Sequence, residues 1–356
     1  MDRNWGCGNR LTGNPGIQGT CLFLEVILFN NPHSFHRRIK ICIQLISIFL
    51  SMFITLLKLV RYQNLLLIIA TQYLIKYALF ESFGIAITLS DFSFFLLCFS
   101  TVCITAAGNI INDIYDVETD RINKTKKQII GTIISVKAAQ TGYMILTIIG
   151  VGIGFYLSNL IGKPGFSAIF IIISALLYLY ATYLKQLLII GNLIISSLVA
   201  MVVIIVGLFD LFPAITSANQ LTQSIIFSIL LDYALFAFLL NWLREMIKDQ
   251  TDITGDYNTG RNSLPIAIGA ERANKVIFLV GIIPLTLVIF YIYDYLFENL
   301  FSVLYTLLFV VAPLLYFLIN LISAKTIAQY SNLSALLKII MVFGLLSIGL
   351  FQFILI

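Results

Sequence analysis

An acidic cluster that follows a long apolar run is the stretch of this sequence most suited to chemistry. Asn112, Asp116 and Asp120 are spaced four residues apart within it. On an α-helix these side chains would drift by about 80° and rise by about 12 Å. The spacing therefore predicts a helix face that carries one amide and two carboxylates, with Asp113 on a neighbouring face.

A second acidic cluster lies far downstream and is phased in a similar way. Asp249, Asp252 and Asp256 would stay within about 60° of one another on a helix. The candidate ligands are all oxygens, since the two histidines, His33 and His36, lie near the N-terminus. Oxygen ligands suit Mg²⁺ far better than zinc, and protein-bound Mg²⁺ usually combines one or two carboxylates with substrate phosphates. The two clusters together therefore predict a diphosphate bridged by metal ions.

The elements that position these clusters are predicted to be membrane helices. The chain has 356 residues, of which 60% are hydrophobic and 11% charged, whereas soluble domains carry about 25% charged residues. Several apolar runs reach the roughly 20 residues that cross a bilayer as a helix, and they do not alternate as barrel strands do. No basic stripe with interleaved aromatic residues is present, which excludes nucleic acid and leaves membrane lipid as the expected surroundings.

We predict an all-α integral membrane protein, a bundle of nine transmembrane helices in which the second and sixth run into the acidic clusters. The predicted spans cover residues 63–81, 92–113, 138–158, 166–184, 187–208, 224–245, 274–294, 300–322 and 334–356. Residues 1–40 are predicted to be a disordered tail or the product of a start site assigned too early. Residues 41–356 form the predicted transmembrane domain.

The distribution of basic residues predicts how the helices are oriented. Nearly all lysines and arginines outside the tail fall on the side of the two acidic clusters, while the other side carries Lys163, with Lys76 near the end of a span. Because cytoplasmic loops are enriched in Lys and Arg, both clusters are expected on the cytoplasmic side of the cell (inner) membrane. An odd number of spans then places the C-terminus outside.

Basic side chains flank both clusters and would stabilise a departing diphosphate. They are Arg61, Lys185, Arg244, Lys248 and Arg261. A plainer alternative is that the acids only solvate helix ends and pair with nearby cations. Two phased clusters on one predicted side favour a functional site, because ionisable groups at the membrane boundary are costly.

These motifs resemble those of the UbiA-type membrane prenyltransferases. The family's Asn-x-x-x-Asp-x-x-x-Asp motif is matched by Asn112, Asp116 and Asp120, and its Asp-x-x-x-Asp motif by Asp252 and Asp256. Arg61 and Asn64 match its N-terminal Arg-x-x-Asn, and 180–185 with Gly191 and Asn192 match a connection between two of its helices. The segment 123–128 departs from the family, because it lacks two prolines and an arginine that would fix the loop and clamp phosphate.

The resemblance implies nine helices around a central cavity that opens to the bilayer. It implies that Mg²⁺ and the two motifs bind an isoprenyl diphosphate donor, and that the prenyl group passes to a lipid-soluble or amphipathic acceptor. The residues implicated are, for catalysis, Asp116, Asp252 and Asp256; for metal binding, Asn112, Asp116, Asp120, Asp252 and Asp256; for substrate binding, Arg61, Asn64, Asn112, Lys185, Lys248 and Arg261; and in support, Asp113 and Asp249.

The sequence leaves alternatives open for the identity of the acceptor and for the class of function. The Arg-Glu-x-x-Lys-Asp context of the second motif resembles the branch that acts on geranylgeranylglyceryl phosphate. An aromatic quinone precursor of the 4-hydroxybenzoate or dihydroxynaphthoate type is the alternative, and Tyr178, Tyr180 and Tyr183 would either line a tunnel for it or simply pack the bundle. An ion-coupled transporter is a remote alternative, since transport sites usually lie near the bilayer midplane rather than at helix ends.

Overall fold

The computed structural model describes residues 32–118, 121 and 128–350. These ranges are helical apart from turns, loops and one isolated bridge between Ile130 and Ile134, and they contain no β-strand. The chain forms two compact units, Met1–Leu56 and Leu57–Ile356. Asp120, most of the segment 123–128, and the predicted tail as far as residue 31 lie outside the described residues.

The first six helices make up the N-terminal half of the described chain. They are α1 (Pro32–Leu59), α2 (Tyr62–Tyr73), α3 (Asp91–Tyr115), α4 (Val136–Leu160), α5 (Ser167–Thr182) and α6 (Ile190–Val206). Wider π-helical turns extend α2 through Leu74–Phe80 and α6 through Gly207–Leu211.

The C-terminal half is organised around one very long helix. Its helices are α7 (Gln220–Asn258), α8 (Leu264–Ile268), α9 (Ala270–Tyr291), α10 (Leu300–Thr306), α11 (Ala312–Ser323) and α12 (Ile327–Leu346). A π-helical segment extends α9 through Ile292–Leu296, and another, Leu307–Val311, joins α10 to α11. With 39 residues, α7 is about 58 Å long, so it extends well beyond an apolar bilayer core of about 30 Å.

Eight helical segments of the described chain are long and apolar enough to cross a membrane, which confirms the predicted multi-pass helical bundle. A ninth is obtained only if Ile43–Leu59 and Tyr62–Phe80 are taken together as one broken span. The predicted count of nine therefore stays a prediction.

Local sequence sets where several helices begin. Ser90 and Ser135 cap α3 and α4, and each side-chain oxygen accepts a hydrogen bond from the backbone N–H three residues later. Thr326 and Gln329 form a reciprocal capping box at the start of α12. These side chains satisfy N–H groups that have no partner inside the helix.

The long helix α7 joins the two main apolar clusters of the bundle. Its residues Ile226 and Leu230 pack in one cluster with Phe94 of α3, while Leu240 and Leu243 pack in the other with residues of α9, α11 and α12. Because α7 packs in both clusters, its position in the bundle is fixed, and so is the position of the polar residues near its C-terminal end.

A buried ion pair fixes the ends of α2 and α6 that carry the π-helical turns. Lys76 is 1% exposed, and its Nζ donates to the Leu89 carbonyl at 2.9 Å and lies 3.9 Å from Asp210. Asp210 is fully buried and accepts hydrogen bonds from the backbone N–H groups of Thr88 and Leu89 at 3.1 and 2.8 Å. The pair thus ties the loop before α3 to both helices.

Candidate active site

A cavity of about 470 Å³ lies among α2, α3, α5, α6, α7 and α12. Its polar end is lined by Arg61, Asn64, Asn112, Asp116, Lys185, Arg244, Glu245, Lys248, Asp249, Asp252, Arg261 and Lys338. Its other end is lined mainly by apolar side chains, among them Leu67, Val203, Phe236, Leu345 and Ile348. The cavity therefore offers a charged mouth and an apolar interior to a single ligand or pair of ligands.

One face of α7 forms a wall of this cavity from end to end. Tyr233, Leu240, Arg244, Lys248 and Asp252 all line it and recur at intervals that keep them on one side of a helix. The rise from Tyr233 to Asp252 is roughly 28 Å. A linear amphipathic molecule anchored near Asp252 would therefore lie along this face with its tail toward Tyr233.

The first acidic cluster begins in the last turn of α3. The helix ends at Tyr115, and Asp116 caps it while its N–H still donates to the Asn112 carbonyl at 2.9 Å. Val117 and Glu118 are again helical, and since Asp120 lies outside the described residues, the predicted face beyond Asp116 stays a prediction. Asn112 Nδ2 donates to Asp116 Oδ2 at 2.6 Å, and Lys185 Nζ donates to Oδ1 at 2.6 Å. Asn112 Oδ1 is buried and has no hydrogen-bond partner among the described residues.

Lys185 reaches Asp116 because a tight loop packs against the start of α6. An added Cβ on Gly191 would lie 2.9 Å from the Cα of Lys185, so only glycine allows this approach. The Lys185 carbonyl in turn accepts a hydrogen bond from Arg261 Nε at 2.8 Å. The loop between α5 and α6 therefore connects the first acidic cluster to the region of the second.

Arg261 lies beside two carboxylates of the second cluster. Its guanidinium is 3.7 Å from Asp249 and 3.5 Å from Asp256, while Asn192 Nδ2 donates to Asp249 at 2.7 Å. Burial lowers the pKa of Arg261, but Asp256 and Asp249 outweigh that effect and hold its pKa above the ordinary value. Arg261 therefore remains a cation at any physiological pH.

The three acids of the second cluster occupy different environments. Asp249 and Asp252 line the cavity, and Thr251 Oγ1 donates to Asp252 at 3.2 Å. Asp256 is fully buried next to Arg261 and does not line this cavity. Asp249, predicted to play a supporting part, is thus nearer the cavity than Asp256, whose predicted metal and catalytic roles stay predictions.

The N-terminal motif reaches the same mouth from the start of α2. Arg61 adopts a left-handed backbone conformation (φ 56°), and its Nη2 donates to Asp113 at 2.7 Å. Asn64 Oδ1 accepts a hydrogen bond from Lys338 Nζ of α12 at 3.0 Å. The predicted pair Arg61 and Asn64 therefore lines the cavity, and Asp113 holds Arg61 in place.

Two charged residues that line the cavity had no predicted role. Glu245 forms ion pairs with Arg244, at 3.4 Å, and with Lys248. It lies four residues before Asp249 on α7, so the phase of the second cluster could have revealed it. Lys338 is an isolated cation within an apolar helix, and such residues often mark functional sites.

The charged side chains that line the mouth, together with Asp256 and Asp113 beside them, form two groups of opposite net charge, an acidic half and a basic half. The acidic half holds four carboxylates and two cations: Asp116, Asp249, Asp252 and Asp256 with Lys185 and Arg261. The basic half holds four cations and two carboxylates: Arg61, Arg244, Lys248 and Lys338 with Asp113 and Glu245. The first half has a formal excess of negative charge that suits cations, and the second an excess of positive charge that suits an anion.

The three candidate tyrosines differ in position. Tyr180 lines the cavity. Tyr178 packs edge-on against Tyr115 with ring centroids 6.3 Å apart, and Tyr183 is 58% exposed. Of the three, only Tyr180 is placed to meet a ligand in the cavity.

Comparison with known proteins gives a consistent assignment. The model of the UbiA prenyltransferase family matches residues 75–336. The digeranylgeranylglyceryl phosphate synthase of Methanocaldococcus jannaschii is 32% identical over 234 residues, which cover 66% of this chain and 74% of that protein. The synthase of the same name from Methanosphaera stadtmanae is 33% identical over 183 residues, 51% of this chain and 60% of that protein. The chain therefore spans less than two thirds of the length of this second relative.

Solved structures share the fold. A structure of digeranylgeranylglyceryl phosphate synthase matches with a TM-score of 0.60 at 25% identity, over 84% of this chain and 98% of that one. A UbiA homologue from Aeropyrum pernix matches with a TM-score of 0.58 at 16% identity, over 81% of this chain and 96% of that one. Since the family match includes the ends of α3 and α7 and the loop that carries Lys185, the chain belongs to the UbiA prenyltransferase family.

Proposed function

We propose that this protein transfers a polyprenyl group from an isoprenyl diphosphate to an amphipathic acceptor with a phosphate head group, of the geranylgeranylglyceryl phosphate type. The observation that carries the proposal is the cavity itself, which joins a mouth of two oppositely charged halves to an apolar interior. The relatives named digeranylgeranylglyceryl phosphate synthase support the same acceptor class.

The acidic half suits Mg²⁺. Within the described residues no three carboxylates, imidazoles or thiols lie close enough to hold a metal ion by themselves, so the diphosphate would complete the coordination, as is usual for Mg²⁺. Asp116, Asp252 and the buried, unpartnered Oδ1 of Asn112 are the oxygens at the cavity that would hold the metal. Asp256 and Asp120 complete the proposed set by resemblance to the family motifs. When bound, Mg²⁺ would neutralise the diphosphate charge that grows as the donor's C–O bond breaks.

The chain's own cations act on the same leaving group. Lys185 and Arg261 lie beside the acidic half and would donate hydrogen bonds to the diphosphate oxygens as it departs with the bonding electron pair. The acceptor's hydroxyl oxygen then forms the new C–O bond and releases its proton to the departing diphosphate. The apolar walls exclude water, which would otherwise capture the prenyl group.

The basic half favours an acceptor with a phosphate over an aromatic acid. Arg244, Lys248 and Lys338 line the cavity, and Glu245 is the carboxylate that pairs with the first two. A phosphate dianion would balance the remaining positive charge, whereas a single carboxylate would balance only part of it. We place this mouth on the cytoplasmic side of the cell membrane, because Lys and Arg are concentrated there in the sequence.

The activity is tested with the purified protein in lipid vesicles containing Mg²⁺. Geranylgeranyl diphosphate is offered with geranylgeranylglyceryl phosphate, 4-hydroxybenzoate or dihydroxynaphthoate, and product masses are measured. We expect an ether product from the glyceryl phosphate, and its loss in Asp252→Asn but not in the control Asp294→Asn, whose carboxylate is exposed and does not line the cavity. Product only from an aromatic acid, or full activity of Asp252→Asn, would overturn the proposal.

The acceptor subsite has its own test. Replacing Lys338 with Met removes a charged donor from the basic half, worth about 1.5–3 kcal/mol to a bound anion. Since about 1.4 kcal/mol corresponds to tenfold in affinity, the KM for the acceptor should rise by about 10- to 100-fold while the KM for the donor stays unchanged. Lys275→Met, at an exposed position outside the cavity, should change neither. An equal rise in both KM values would contradict the assignment.

A further inference from the structure

A second cavity, of about 160 Å³, adjoins the apolar end of the first. Its walls come mainly from α7, α9 and α12 and the segment Ser302–Val310, and they are largely apolar, with Leu287, Val288 and Leu296 among them. We propose that this second cavity is a subsite for the terminal isoprene units of the prenyl donor, and that Tyr233 and Phe236 form the partition that sets the longest chain the enzyme uses. The proposal rests on the prenyl transfer proposed above.

The partition between the two cavities is thin. Tyr233, Phe236 and Gly344 line both. Tyr233 and Ser347 share a hydrogen bond of 2.8 Å between their hydroxyl oxygens. The Phe236 ring packs so closely on α12 that an added Cβ on Gly344 would lie 3.1 Å from it. Two aromatic side chains and one neutral hydrogen bond thus lie between the cavities.

The donor's tail is the occupant that this arrangement fits. The diphosphate is held near Asp252, and the face of α7 leads from there to Tyr233 over roughly 28 Å. A linear chain anchored at its polar head therefore meets the partition with its terminal end. Beyond the partition the walls are predominantly apolar, with the exposed Asp232 and the hydroxyl residues Ser302 and Thr306 also among them, and they match an isoprenoid tail.

The partition consequently limits the length of the donor that binds and does not affect the reaction at the head group. A donor short enough to end before Tyr233 leaves the hydrogen bond to Ser347 intact. A longer donor must displace the two rings before its head group can reach the acidic half. Each added isoprene unit then costs affinity unless the second cavity receives it.

The test uses prenyl diphosphates that increase by one isoprene unit, and measures kcat/KM for each with one acceptor. We expect Phe236→Ala to raise the ratio of kcat/KM for the longest donor to that for the shortest by at least tenfold. Leu287→Trp fills the second cavity from a position that is 40% exposed, so it should be tolerated. This variant should lower the ratio of kcat/KM for the longest donor to that for the shortest, and kcat/KM for the shortest donor should stay unchanged.

The matched control is Phe238→Ala, which removes the same side chain from the same helix. Phe238 packs on Trp242, with ring centroids 6.0 Å apart, and lines neither cavity. Its ratio should equal that of the wild type. If Phe236→Ala and Leu287→Trp both give the same long-donor to short-donor ratio of kcat/KM as this control, the proposal is overturned.

A labelling experiment keeps this inference separate from the proposed activity. Prenyl diphosphates of increasing length, each with a diazirine at the terminal carbon, are bound to the wild-type protein in vesicles and irradiated, and the labelled peptides are identified. As the probe lengthens, labelling should pass from Ile348 in the first cavity to Leu287 and Tyr291 in the second. Labels that never reach these two residues refute the subsite, whereas absence of turnover with correct labelling refutes the reaction alone.

Discussion

We expect Lys185 to compete with a metal ion for Asp116, so replacing Lys185 should strengthen metal binding and weaken donor binding. Lys185 Nζ lies 2.6 Å from Asp116 Oδ1, and the two side chains are 7% and 19% exposed. In this arrangement the lysine occupies an oxygen that Mg²⁺ would use, and its charge repels the ion. The substitution Lys185→Met keeps the length of the side chain and removes both effects.

The magnitude follows from the hydrogen bond that is lost. A hydrogen bond to a charged group contributes about 1.5–3 kcal/mol. Since about 1.4 kcal/mol corresponds to tenfold, Mg²⁺ should bind Lys185→Met about 10- to 100-fold more tightly in the absence of donor. The KM for the prenyl diphosphate should rise by a similar factor, because Lys185 is then no longer available to the leaving group.

Isothermal titration calorimetry with Mg²⁺ measures the first effect, and steady-state kinetics at saturating Mg²⁺ measures the second. Lys338→Met is the matched control, because Lys338 bonds to the Asn64 amide and not to a carboxylate. Its metal affinity should stay within a few-fold of the wild type. Unchanged or weaker Mg²⁺ binding by Lys185→Met would refute the reasoning.

Two further predictions concern the stability of the bundle. An added Cβ on Gly154 would lie 2.3 Å from the Phe170 ring, which is 1% exposed, so Gly154→Ala should lower the free energy of unfolding by about 1–3 kcal/mol. The control Gly152→Ala should be tolerated, because nothing lies within 4 Å of its added Cβ. Equal thermal unfolding midpoints for the two variants would contradict this account. Asp210→Ala removes the fully buried partner of Lys76 and leaves it the largely exposed Asp91, 3.6 Å away, so it should cost about 3 kcal/mol, measured as a fall in the unfolding midpoint that Asp294→Asn does not share.

The composition and the apolar runs were sufficient to predict a multi-pass helical bundle, because a bilayer leaves few ways to satisfy backbone hydrogen bonds. Spacing was also sufficient to select Asp116 and Asp252, since positions three or four residues apart stay on one side of a helix. The prediction that both clusters meet at one cavity depended on loop charge and on family resemblance. The structure places both residues in the wall of the same cavity.

Other features of the site could not be read from spacing. Asp249 and Asp256 are seven residues apart on α7, yet one lines the cavity and the other is fully buried. Their separation fixes an angle around the helix, but which angle faces the cavity depends on the neighbouring helices. Similarly, nothing local indicates that Lys338 reaches Asn64 across the bundle, because that contact joins residues 274 positions apart.

The sequence by itself thus determined that this is a multi-pass membrane protein of helical class, and it was sufficient to predict two clusters of oxygen ligands, since these features depend on residue type and short-range periodicity. Only the tertiary structure decided which cations face which carboxylates, and that the mouth separates into an acidic and a basic half. It also decided where the apolar interior ends, at the contact of Tyr233 and Phe236 with α12. These features arise from the packing of distant helices, in which each side chain's partners are set by the whole bundle.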